Sequence, residues 1–98
     1  MFLLIETGFF MHSIKELSIL LKKIDTSDEI AIFFKELLTE SELETLSKRW
    51  RILTMLRNGC TQREIAKELQ VSLCNITRGS KVIKDKDSVL LKYLTKEN

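Results

Sequence analysis

Ninety-eight residues with no proline and three glycines, 44% apolar and 31% charged, make one small domain without the punctuation that sheets and long loops require. The net charge is only +2, but residues 1–40 hold four Lys/Arg against seven Asp/Glu and residues 41–98 hold twelve against seven, so the chain runs from −3 to +5. Two cysteines, Cys60 and Cys74, and the single His12 are too few for a disulfide framework or a zinc site, and they fit a reducing cytoplasm.

The opening "MFLLIETGFFMH" lacks a basic start, and Glu6 breaks its apolar run far short of a signal-peptide core or a membrane span. Residues 1–12 read as an N-terminal arm, with Met11 an alternative natural start, and residues 13–98 as one helical domain. In "SIKELSILLKKID", Ile14, Leu17, Leu21 and Ile24 recur at helical spacing between charged neighbours, which predicts an amphipathic helix. Ser27 or Asp28 is placed to cap the next helix, "EIAIFFKELL". Its Ile30, Phe33, Phe34, Leu37 and Leu38 wrap most of the circumference, so it calls for burial on several sides.

Thr39 followed by "ESE" has the form of a capping box with Glu42, opening a third helix whose Leu43, Leu46, Trp50, Leu53 and Leu56 form an apolar face. Trp50 reads as a core or interface aromatic. Asn58 and Gly59 supply a left-handed stop. Thr61 with Glu64 repeats the capping pattern before a short helix with Ile65, Ala66 and Leu69 inward. After the turn "QVS", Ser72 caps a further helix with Leu73, Ile76 and Val82 or Ile83 inward. A last helix after "KDKD" sets Val89, Leu90, Tyr93 and Leu94 on one face. The expected fold is all-α, with six helices.

Residues 61–83 have the form of a helix-turn-helix. Ala66 is small where the first helix presses on the second, Val71 fills the corner under the turn, and Ile76 sets the roll of the second helix. Gln70 stands where a turn glycine is usual, so it must tolerate or avoid positive φ. Between Lys48 and Lys86, ten basic side chains face three acidic ones, a field that suits a polyanion, although a solvated helix surface carries such charges too. Gln62, Arg63 and Lys67 on the first helix are placed to reach phosphates. Leu73, Cys74, Asn75 and Thr77 at the start of the second, with Lys84 near its end, complete the candidate DNA surface. Cys74 is equally a small packing residue or a reader of thymine methyl groups.

"LLT" at 37–39, "RWRI" at 49–52, "TQREI" at 61–65 and "ITRGS" at 76–80 together resemble the Trp repressor family. That family carries "LLT", "RVRI" and "SQREL…ITRGS" in the same order, with its second and third motifs slightly further apart. The resemblance covers roughly residues 37–84. It implies a six-helix intertwined homodimer that takes L-tryptophan as corepressor, with no other cofactor, and then binds double-stranded operator DNA. It also implies that Arg49 and Arg78 sandwich the indole and that Thr39 helps hold the ligand carboxylate. Backbone carbonyls near Leu37 and Leu38 would receive its ammonium, and Gly79 would keep the pocket open. Arginine suits this role because its planar cation both stacks on a ring and grips a carboxylate. Val82 departs from the family, which has a hydroxyl near the ammonium at that place.

Other readings remain. Arg49 and Arg78 could make only surface ion pairs, in which case the chain is a helix-turn-helix DNA-binding protein that does not sense tryptophan, similar to a transposase helper domain. A purely protein-binding helical module is a third. No Ser/His/Asp set, paired catalytic carboxylates, phosphate loop or metal cluster marks an enzyme.

Overall fold

The computed structural model describes residues 2–94, with side chains from residue 8 onward. Among these residues there are six helices and no strand: α1 (Phe2–Lys22), α2 (Ser27–Leu37), α3 (Glu40–Arg57), α4 (Gln62–Leu69), α5 (Leu73–Lys84) and α6 (Val89–Tyr93). The chain divides between Thr39 and Glu40 into two compact units. The last four residues of the expected 13–98 domain lie outside the described residues, as does the first residue of the expected arm.

In the first unit, α1 begins at Phe2, so the stretch read as an arm is helical and runs unbroken into "SIKELSILLK". Periodicity missed this because apolar residues on either side of Glu6 fall all around the helix and leave no stripe to detect, and one interior glycine costs only about 1 kcal/mol. The cap of α2 is Thr26, not Ser27 or Asp28: its side chain accepts from the Glu29 backbone N–H at 3.2 Å. No side chain described in this unit is buried. Phe33 and Phe34 are half-buried and meet edge to face at 6.0 Å, and Ile14, Ile19 and Ile32 are exposed.

The second unit is built on α3, α4 and α5, which pack on one another, with α6 against α5. Ile65 of α4 and Ile76 of α5 are fully buried and meet Ile52 of α3. Ala66, Leu69 and Val71 close around them. Three predicted faces differ. In α3 the inward residues are Ile52 and Leu53, while Leu46 and Trp50 are exposed. Leu73 is 58% exposed rather than inward, because α5 has already turned its buried side to Ile76 and Gly79. At the C-terminal end Val89, Leu90 and Tyr93 are exposed, and it is Leu94 that is buried, just past the last turn of α6.

Local chemistry fixes where α4 and α5 begin. Thr61 and Glu64 form the full capping box, with the Glu64 N–H donating to the Thr61 hydroxyl at 3.1 Å and the Thr61 N–H donating to the Glu64 carboxylate at 3.0 Å. The Thr61 backbone N–H, and after it the Thr61 hydroxyl, hold the Glu64 carboxyl below its ordinary value. Its contribution is therefore present above the ordinary glutamate pKa, about 4.3, and is lost as the pH falls through the lowered folded value. Ser72 caps α5 by accepting from the Asn75 N–H at 3.4 Å.

Gln70 does take the left-handed conformation, with φ 54° and ψ 48°, as Gly59 does at φ 92°. A side chain there costs about 1–2 kcal/mol, whereas a glycine costs about 0.5–1 kcal/mol in extra unfolded-state freedom. The steric term wins. Gln70→Gly is expected to stabilise the protein by about 0.5 kcal/mol, raising the thermal midpoint by about 2–4 °C. A lowered midpoint in a calorimetric scan would contradict the strain.

Candidate ligand pocket and nucleic-acid face

At Gly79, α5 packs tightly against α3. A Cβ built on it would sit 3.0 Å from Ile52 Cγ2, 3.4 Å from Leu56 Cδ1 and 3.6 Å from Leu53 Cδ2. The missing side chain thus lets two helices touch. Beside this contact lies a cavity of about 360 Å³, within the size range of small-molecule sites. Leu46, Arg49, Trp50, Ile52 and Leu53 of α3 line it, with Asn75, Arg78, Gly79 and Val82 of α5 and Leu90 of α6.

Arg49 and Arg78 are therefore brought to one concavity from separate helices, and both are exposed. Among the described residues no acidic side chain lines it, so two cations border a largely apolar space without a counter-charge. Such a lining suits a flat apolar body carrying an anionic group: the guanidinium planes offer stacking faces and their N–H groups offer paired donors. Gly79 lines the same cavity, but the atoms nearest its absent Cβ belong to α3, so its first role is helix packing. Leu37 closes α2, and Leu38 and Thr39 follow it in the first unit. Leu37 is exposed and Leu38 half-buried.

The remaining candidates lie on α4 and α5. Gln62, Arg63 and Lys67 are exposed on α4, and Leu73, Cys74, Asn75, Thr77 and Lys84 are exposed on α5. A shallow concavity of about 350 Å³ gathers Leu73, Cys74, Thr77, Arg78 and Lys81. The Thr77 hydroxyl donates to the Leu73 carbonyl at 2.9 Å, which spends its proton within the helix and leaves its oxygen as an acceptor. Asn75 differs from the expectation of a purely outward residue, since it also lines the cavity between α3 and α5. Arg78 belongs to both concavities.

Sequence reasoning missed Lys81, which lies one turn beyond Thr77 and Arg78 and was legible from that spacing. It also missed Trp50, Leu46 and Leu90 as cavity walls. The first two are one turn apart on α3, but nothing local in the sequence brings Leu90 to them. Among the described residues no group of side chains could hold a metal ion, and no helix is long and apolar enough to cross a membrane.

The close approach at Gly79 sets an expected order of stability. Alanine gains about 1 kcal/mol of helix propensity over glycine, which offsets most of a mild clash, whereas valine adds two methyl groups against the buried Ile52. Gly79→Ala should be near neutral and Gly79→Val should lose about 2 kcal/mol in denaturant titration. A valine variant as stable as the parent would contradict the tight contact.

Comparison with known proteins identifies the family. The family model for the Trp repressor protein matches residues 12–98. A Trp operon repressor homolog of Xylella fastidiosa strain M23 is 40% identical over 67 residues, which span 67% of this chain and 73% of the relative. One from Chlamydia caviae is 38% identical over 80 residues, 81% of this chain and 79% of the relative. Another, from Chlamydia trachomatis serovar D, is 40% identical over 65 residues, 65% and 69% of the two chains. No solved structure gives a significant match. With a family model matched over most of its length, the chain belongs to the Trp repressor family, a family of regulators and not of enzymes.

Proposed function

We propose that this repressor is a cytoplasmic homodimer that binds double-stranded operator DNA when loaded with L-tryptophan as corepressor. The observation that carries the reading is the convergence of Arg49 and Arg78 on one apolar cavity that holds no counter-charge among its described lining residues. In this reading the indole stacks between the two guanidinium planes and Thr39 helps hold the carboxylate. The ammonium goes to backbone carbonyls near Leu37 and Leu38, and residues 13–98 act as one domain.

Gln62, Arg63, Lys67 and Lys84 contact phosphates, while Leu73, Cys74, Asn75 and Thr77 approach base edges from the start of the recognition helix α5. Helix-turn-helix dimers, the Trp repressor among them, read half-sites about 34 Å apart. A ligand wedged beside α5 then selects, from the orientations α4 and α5 sample, the one that fits both half-sites. Arg78 is suited to carry that preference, since it lines both the cavity and the outer concavity of α5.

The dimer is supported by the first unit. No side chain described there is buried, although α2 carries Ile30, Ile32, Phe33, Phe34 and Leu37. A face that apolar needs cover, and a second copy of the chain offers it. Sedimentation at micromolar concentration should give a dimer, and a stably folded monomer would overturn this part of the reading.

One observation favours a second reading, in which the protein binds DNA without sensing tryptophan: Val82, an apolar residue, lines the cavity where the family carries a hydroxyl. Arg78→Ala separates the two. It should abolish calorimetric binding of L-tryptophan and the tryptophan dependence of operator affinity in a gel-shift titration. An unchanged tryptophan response in this variant would contradict the pocket assignment, and a parent protein with no response would favour the second reading.

A further inference from the structure

Building on the tryptophan pocket proposed above, we infer that Trp50 is a third, aromatic wall of that pocket and sets its preference for flat ring ligands. Trp50 follows Arg49 directly on α3 and lines the cavity with Leu46, one turn earlier, and Leu90 of α6. These three side chains are 49%, 44% and 41% exposed. Large apolar side chains left half in water around a concavity are surface that a fitting occupant covers, and covering it releases water and adds dispersion contacts. An indole wall adds ring-to-ring contact that leucine cannot supply.

The polar lining leaves little else to discriminate with. Beyond the two arginines, Asn75 is the uncharged polar side chain among the described lining residues, and Val82 offers no hydrogen bond. The arginines recognise an anionic group and stack on any ring. The shape and width of the ring therefore fall to the apolar walls, of which Trp50 is the largest. The "RWRI" segment places this indole where the related motif has valine, so the wall belongs to this chain's own version of the site.

The full-length protein suits a direct test, because Trp50 is its sole tryptophan and its emission reports that position alone. The probe is 4-fluoro-L-tryptophan, which hardly emits, titrated in parallel by calorimetry and by protein fluorescence. The expected result is a heat signal and a change in Trp50 emission that saturate over the same concentrations. Trp50→Val should weaken L-tryptophan binding about tenfold, equivalent to about 1.4 kcal/mol, and Trp50→Phe should recover most of that loss.

Heat without any emission change, or a valine variant with unaltered affinity, would overturn the aromatic wall and leave the pocket standing. No heat with either ligand would overturn the pocket reading and this inference with it. Should the valine variant fail to fold, Trp50→Leu takes its place, with the same tenfold loss expected and the same unaltered affinity overturning the aromatic wall.

Discussion

The contact between α3 and α5 at Gly79 governs both the stability and the chemistry of the second unit. Because α5 carries no side chain there, Ile52 and Leu53 come close to it, and Ile52 continues into the cluster with Ile65 and Ile76 that holds α4 and α5 together. The same approach sets Arg49 and Arg78 around one cavity. A side chain larger than a methyl group there would push α5 off Ile52 and loosen the buried cluster. Gly79 thus lies both in the packing of α5 on α3 and in the lining of the cavity.

The proposed coupling between ligand and DNA runs through α5. α5 is the helix whose outward start carries the base-reading candidates, and its inward side forms part of the cavity. An occupant of the cavity would touch Asn75, Arg78, Gly79 and Val82 of α5, and Arg78 also lines the outer concavity. Gln70, at positive φ, joins α4 to α5.

Much of this was legible in the sequence, and for local reasons. Thr61 and Ser72 cap because a hydroxyl three residues ahead of a free N–H needs nothing distant to work, and the Glu64 carboxylate reaches back to the Thr61 N–H just as locally. Ile65 and Ile76 were legible because short helices with few apolar residues leave little choice of inward face. The misses share the opposite cause. In α3, Leu46, Trp50, Ile52, Leu53, Met55 and Leu56 offer more than one apolar stripe, and only the position of α5 selects Ile52 and Leu53. Val89, Leu90, Leu91 and Leu94 allow more than one roll of α6, and "TSD" at 26–28 offers three capping side chains in a row. The two arginines were found through motif resemblance, whereas Trp50 and Leu90 as cavity walls needed the fold itself.

The central claim is that an aromatic amino acid held between Arg49 and Arg78 sets the DNA affinity of the dimer. Operator affinity of the unaltered protein, measured at one fixed salt concentration with and without saturating L-tryptophan, tests it most directly. The account predicts that affinity rises at least tenfold when the ligand is present. Equal affinity under both conditions, with the protein folded and dimeric, would contradict it.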